Sequence, residues 1–467
     1  MAALATDYLV IGSGAVGLAF VDTMLDESDA TFTIVDRHHL PGGHWNDAYP
    51  FVRLHQPSAF YGVSSMRLGT DRIDEVGSNA GFYELATGSE VCAYFERVVR
   101  DRLLPSGRVR YLPMSDWSEA GTITSLLSGE VTEVEVGRRI VDGTFFSTSV
   151  PSTHARGFAA EQGVVCVAPN ELPRRCVEHD RFTVLGGGKT AMDAVVWLLD
   201  HGAPPGAIRW VCPRGSWLID RRTTQPGRTF LAGTVGGAAS QYEAAAEATS
   251  ITDLFHRLEA AGQMVRVDTS SEPEMFHYAT TSSGEVEQLR RVDDVVRGER
   301  VATGAADRLT MTSGAELPAA PGTLYVDCTA SAVDFTSKRT VPVFGPGRIT
   351  IQPVFAPLAS YSAAIVAHVE ASYDDDAERN ALCTPVPLAD TPAEWPASTL
   401  GNLANQQAWA QDRAMQSWTR SCRLNPSSAA MNDPTPFTDD EQAILMRVLG
   451  AIGPAAENLR RLADLAA

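Results

Sequence analysis

A glycine turn set between a strand and a helix constrains this chain more than any other feature. Residues 7–12 (DYLVIG) have the pattern of a short buried strand, and Ala15 to Leu25 that of a packed apolar helix. Between them runs Gly12-Ser13-Gly14-Ala15-Val16-Gly17. A second strand, Phe32 to Val35, ends at Asp36, 19 residues after Gly17. A lone GxGxxG carries little weight, but strand, turn, helix and acid in this order describe a βαβ unit that holds a dinucleotide. The glycines have separable duties: Gly12 permits the tight turn, Gly14 lets the backbone approach a pyrophosphate, and Gly17 lets the helix pack on the strand. The helix N-terminus then turns its positive end toward the phosphates. Asp36 can accept both hydroxyls of a ribose, and Arg37 stands beside it.

The pattern recurs. The apolar strand Phe182-Thr183-Val184-Leu185 leads into Gly186-Gly187-Gly188-Lys189-Thr190-Ala191. A helix follows, with Ala191, Val195, Leu198 and Leu199 on one face. The Gly-Lys-Thr triplet invites a P-loop reading, but that motif requires a glycine five positions before Gly188, where Thr183 stands. A third strand, Ile208 to Cys212, leads to Arg214, 28 residues after Gly186. No acid occupies the ribose position here, and an arginine just past the strand suits a 2′-phosphate. Gly186, Gly188, Lys189 and Thr190 are the expected pyrophosphate contacts, Lys189 being one of only two lysines in the chain.

Composition narrows the remaining classes. With 57 acids against 38 bases the formal charge is −19, a field that repels phosphate backbones and anionic membranes, so nucleic-acid and membrane partners are not expected. The opening residues lack the pattern of a signal peptide and no long apolar run follows, which predicts a cytoplasmic protein. Seven scattered cysteines form no CxxC, which disfavours a disulfide framework, a zinc ribbon and a thiol reductase. His38, His39, His44 and His55 cluster in sequence, but their spacing matches no standard ligand set and no metal is expected.

Two dinucleotide folds, the first with an acid and the second with a base, suggest FAD followed by NADPH. Four elements carry a resemblance: GSGAVG with Asp36, Gly42-Gly43-His44-Trp45, the GGGKTA turn, and Arg214-Gly215-Ser216-Trp217. On them the chain resembles the two-dinucleotide-binding-domain flavoproteins, and within these the flavin-containing (class B) monooxygenases with their Baeyer–Villiger and N-hydroxylating relatives. The resemblance implies an α/β protein with two Rossmann-like domains, and a monooxygenase of a small molecule working through a flavin hydroperoxide. It also implies that Gly43, His44 and Trp45 lie along the flavin, with Gln56 as the candidate donor to the oxygen adduct. The family's FxGxxxHxxx element has Thr148 and Ser152 at its glycine and histidine positions after Phe146. That departure keeps two alternatives open, a reductase or oxidase that inserts no oxygen and a non-catalytic nucleotide-binding protein.

This architecture inserts the second domain into the first. The expected division is an FAD domain at 1–176 and 326–372, with an NAD(P) domain at 177–325. A linker and helical region then fills 373–467. Leu324-Tyr325-Val326-Asp327 is read as the strand returning to the first domain, and 232–250 as beginning in a loop. Helices are expected near 402–422, 439–450 and 454–466, the last opening at Pro454.

Overall fold

The computed structural model describes residues 3–146, 148–331, 333 and 341–466. Its first sheet is parallel through Val109–Leu112, Phe32–Val35, Leu4–Ile11, Val131–Asp142 and Arg348–Thr350. In chain order that is 3-2-1-4-5, the dinucleotide-type winding, whose crevice opens where the strand order reverses. All four residues of Phe32–Val35 are buried, as expected of a strand covered on both faces. The helices Ala15–Glu27 and Ala359–Ser372 share one core, where Leu18 and Val21 join Ala363 and Val366.

The second sheet is parallel throughout and runs Asp294–Arg297, Ile208–Cys212, Phe182–Leu185, Leu324–Asp327, Val165–Val167. Counted from Phe182–Leu185, its first four strands repeat the 3-2-1-4 order. The reading of Leu324–Asp327 as a strand of the first sheet is therefore corrected. Tyr325 pairs with Thr183 and with Cys166, in the middle of the second sheet. Val165–Val167, placed before the expected boundary at 177, belongs to this sheet as well. A four-residue apolar strand carries no mark of which sheet it joins, and pairing across more than a hundred residues decides it.

The segment 232–250 is not a loop at its start but the helix Leu231–Glu247. Glycine disfavours helix in isolation. Here Gly236 and Gly237 are buried, the first against Ile444 and the second against Gln263, and small residues let the C-terminal helix lie close. That C-terminal helix is continuous over Asp439–Ala466, with Pro454 inside it rather than opening a second helix. Its buried stripe of Ala451, Ala455, Leu459 and Leu462 crosses the proline at helical spacing, and Pro454 itself faces outward. The expected helix at 402–422 is two helices, Trp395–Gln411 and Arg413–Ser421, divided at Asp412, whose carboxylate caps the second. The stretch taken as linker holds a further helix, Asp376–Leu382, capped by Asp375.

The C-terminal region serves both cores. Trp395, Leu459 and Leu462 pack with Phe255 and Phe276, while Trp409, Met415 and Leu424 pack with the first sheet's helices. Among the described residues no helix is long and apolar enough to cross a membrane.

Candidate functional site

The first glycine turn is built as a cradle. A Cβ on Gly17 would collide with the Gly12 carbonyl oxygen, so only glycine lets the helix start this close to the strand. Gly14 is the N-cap of Ala15–Glu27, with no side chain capping the helix and no acid in its first turn. Its leading N–H groups are therefore available to an anion. The segment Gly42–Gly43 comes against this turn: the Gly42 N–H donates to the Ser13 carbonyl at 2.9 Å, and a Cβ on Gly43 would lie 3.1 Å from the Gly14 Cα.

Asp36 sits at the end of Phe32–Val35 and is buried. Its carboxylate accepts from the Ser13 N–H at 2.5 Å and the Ser13 hydroxyl at 2.8 Å, and from the His38 N–H at 2.8 Å. Burial works against its charge, but the hydrogen bonds from His38 and Ser13 outweigh burial and hold the carboxyl below its ordinary value. The His38 ring bridges Asp36 at 2.9 Å and Asp47 at 2.8 Å. The bond to Asp36, opposed by burial and reinforced by Asp47, pushes His38 up to about 9. A folded-state value above the ordinary 6.5 means that the bridge contributes fully below that pH and is lost as pH rises toward 9. His38→Gln is expected to flatten the fall in unfolding free energy between these limits, measured by urea titration at several pH values; an unchanged slope would refute the bridge.

Arg37 points away from the turn, exposed and paired bidentately with Asp116 at 2.9 and 3.1 Å. His44 is exposed, its ring stacked on Trp45. Trp45 is half-buried and donates its indole N–H to the Tyr61 hydroxyl at 2.7 Å. The structure thus brings Gly12, Gly14, Gly17 and Gly43 together, with Asp36 bonded to Ser13 of the turn, while the Arg37 side chain is taken up by Asp116.

The second turn follows the same plan. Gly186 adopts φ +131°, a left-handed conformation suited to glycine, and a Cβ there would lie 2.7 Å from the Cys328 carbonyl oxygen. Gly187 packs against the Arg214 backbone, and Gly188 opens Lys189–Asp200 with no side-chain cap and open space before it. The half-buried Arg214 guanidinium has no hydrogen bond or ion pair among the described residues. Arg297, at the end of the neighbouring strand, lines a small cavity with Cys212, Gly215, Ser216 and Ser271, and pairs with Asp268 at 2.9 Å. Arg297 was not singled out from the sequence because its strand is recognisable only by its pairing with Ile208–Cys212.

Lys189, expected at the pyrophosphate, is paired with carboxylates in this structure. Its ammonium runs along its own helix to Asp193 and on to Glu285 at 3.2 Å, nearly buried. Asp193 also accepts from the Tyr49 hydroxyl at 2.7 Å, and the Thr190 side chain lies beside the same phenol. Glu285 in turn receives the fully buried Arg221 at 2.7 Å, which reaches Asn79 and the His55 carbonyl at 3.2 Å each. Burial alone would raise Glu285, but Lys189 and Arg221 outweigh it and bring the carboxyl down to about 2. Burial, together with the nearby Lys189 charge, takes His55 down to about 4, so it is neutral at physiological pH. This network joins Tyr49, His55 and Asn79 of the first unit to four charged residues of the second. Gln56 follows His55 at the same junction, half-buried, its side-chain amide without a hydrogen-bond partner among the described residues.

The winding and the two turns define a class, a chain with two dinucleotide-type α/β units, the first turn closed by an acid and the second flanked by arginines. The chain belongs to the family of the Mycobacterium tuberculosis (strain ATCC 25618 / H37Rv) protein named uncharacterized protein Rv2000, with 44% identity over 469 residues, 99% of this chain and 85% of that protein. The Mycobacterium bovis protein Mb2023 is equally similar, at 44% over the same coverage. No protein-family model matches the chain. Among solved structures it is similar to a steroid monooxygenase bound to NADP, at 12% identity and TM-score 0.49, covering 99% of this chain and 98% of that one. It is also similar to a flavin-containing monooxygenase from Stenotrophomonas maltophilia, at 13% identity and TM-score 0.43, covering 87% and 99%.

Proposed function

We propose that the protein is an FAD- and NADPH-dependent oxidoreductase that acts as a monooxygenase on a small molecule. The observation that carries this reading is the doubled site: two uncapped glycine-turn helices, with the buried Asp36 at the first and, at the second, Arg214, whose guanidinium has no partner among the described residues. An acid at the end of the second strand suits ribose hydroxyls, and a free guanidinium at the corresponding place suits a 2′-phosphate. Gly12, Gly14, Gly17 and Asp36 would hold FAD, and Gly186, Gly188 and Arg214 would hold NADPH. Bound there, the two cofactors supply hydride transfer and oxygen chemistry.

The chain's own residues orient and shield. Trp45, two residues after Gly43, is held by its indole N–H on the Tyr61 hydroxyl. His55, held neutral, brings no third positive charge to a junction already carrying Lys189 and Arg221. Gln56 offers the amide donor at that junction.

Arg214→Ala should raise the Michaelis constant for NADPH roughly tenfold or more, with NADH little affected, because a charge-assisted contact is worth ~1.5–3 kcal/mol. Equal use of both coenzymes by the unmutated protein would remove the 2′-phosphate assignment. The oxygen reading is tested at Gln56. Gln56→Ala should leave the rate of reduction by NADPH nearly unchanged and raise hydrogen peroxide release during NADPH turnover, by up to about a hundredfold for one buried hydrogen bond. Peroxide release equal in the two proteins would take Gln56 out of the mechanism.

A further inference from the structure

Arg423 lies between Cys422 and Leu424, both buried in the core of the first unit, and its guanidinium is turned toward the segment 59–66. There it donates to four backbone carbonyls: Ala59 at 2.6 Å, Tyr61 at 3.2 Å, Met66 at 3.1 Å, and Val63. Among the described residues no carboxylate pairs with it, and its Nε is buried without a hydrogen-bond partner. A buried guanidinium ordinarily has an acid beside it. Burial holds this one below its ordinary value. Its charge is spent instead on fixing the path of one loop, which the planar fork of an arginine can do and a lysine cannot.

The same loop has a second hold, which shares the Met66 carbonyl with Arg423. The Tyr94 hydroxyl accepts from the Val63 N–H and donates to the Met66 carbonyl, both at 2.8 Å, and Gly62 takes φ +93° where a Cβ would strike that phenol. Tyr61, the acceptor for Trp45, lies within this held segment, with its own carbonyl on Arg423. Trp418, five residues before Arg423, donates to Glu27 at 2.6 Å and stacks on His368, so the arm is anchored on the two helices of the first unit.

We propose that Arg423 is a positioning residue: the C-terminal arm, through this guanidinium and the 59–66 carbonyls, sets the Trp45–Tyr61 hydrogen bond beside the first glycine turn. The consequence for turnover rests on the flavoprotein reading above; the positional claim does not.

The test uses full-length protein labelled with 15N-tryptophan, the Trp45 indole N–H signal being assigned with Trp45→Phe. In Arg423→Ala that signal should move toward the position of a non-hydrogen-bonded indole, while circular dichroism is retained. Millimolar guanidinium chloride should return it, and sodium chloride at equal concentration should not. Peroxide release during NADPH turnover should rise about fivefold in the same variant, as the loss of an oriented contact predicts. If Arg423→Ala does not fold, Arg423→Lys decides, since it keeps the charge and loses the fork; its signal should shift as well. A folded Arg423→Ala or Arg423→Lys protein with an unmoved Trp45 signal overturns the proposal. A shifted and guanidinium-restored signal in a protein that binds no flavin upholds the positioning role and removes the oxidoreductase reading instead.

Discussion

Gly14→Leu is expected to give a folded protein without bound flavin, whereas Gly17→Leu is expected not to fold. The two glycines stand three residues apart, and the difference lies in what a side chain would meet. At Gly14 a Cβ finds only the Gly43 backbone, the Cα at 3.6 Å, which is ordinary contact, and the added side chain occupies the mouth where a pyrophosphate must approach. At Gly17 the Cβ would enter the Gly12 carbonyl oxygen, so the helix must leave the strand and the packing of Leu18 and Val21 goes with it. Circular dichroism and the flavin content of the purified variants check both halves. A yellow Gly14→Leu protein would show that no dinucleotide phosphate passes over this turn.

Lys189→Ala should cost about 3–5 kcal/mol of stability, the usual result of removing one member of a buried ion pair. The substitution takes the ammonium from Asp193 and Glu285, both mostly buried, and leaves Asp193 with the Tyr49 hydroxyl and Glu285 with Arg221, the Ser282 N–H and the Thr281 hydroxyl. This differs from the expectation drawn from sequence, in which Lys189 grips the pyrophosphate and its loss weakens NADPH and NADH alike. Urea unfolding and coenzyme Michaelis constants separate the two accounts. Full stability with both constants raised would return Lys189 to the phosphate; a large loss of stability, eased by adding Glu285→Gln, places it in the network.

Both glycine turns were readable because each is a local object, made of some thirty consecutive residues in which strand, turn, helix and acid or base follow in order. Asp36 and Arg214 came with them. The network at the junction was not readable in the same way. Lys189 and Asp193, one helical turn apart, can be paired on paper, but Glu285 lies 96 residues from Lys189 and 64 from Arg221, and only the fold brings them together. Leu324–Asp327 is legible as a strand, but its apolar residues suit either sheet, and only its pairing with Phe182–Leu185 and Val165–Val167 places it in the second. The start of the helix Leu231–Glu247 reads as a loop in sequence because its glycines lower helix propensity, which close packing of the C-terminal helix overrides. Arg423 showed nothing in sequence: its partners are backbone carbonyls some 360 residues away, and carbonyls leave no side-chain signature.

The absorbance spectrum of the freshly purified protein, recorded before and after anaerobic addition of NADPH, tests the central claim most directly. The account predicts the two visible bands of an oxidised flavin, released from the protein by heat as FAD, and their bleaching when NADPH is added. A colourless protein that cannot be reconstituted with FAD, or one whose flavin bands survive NADPH, would contradict it.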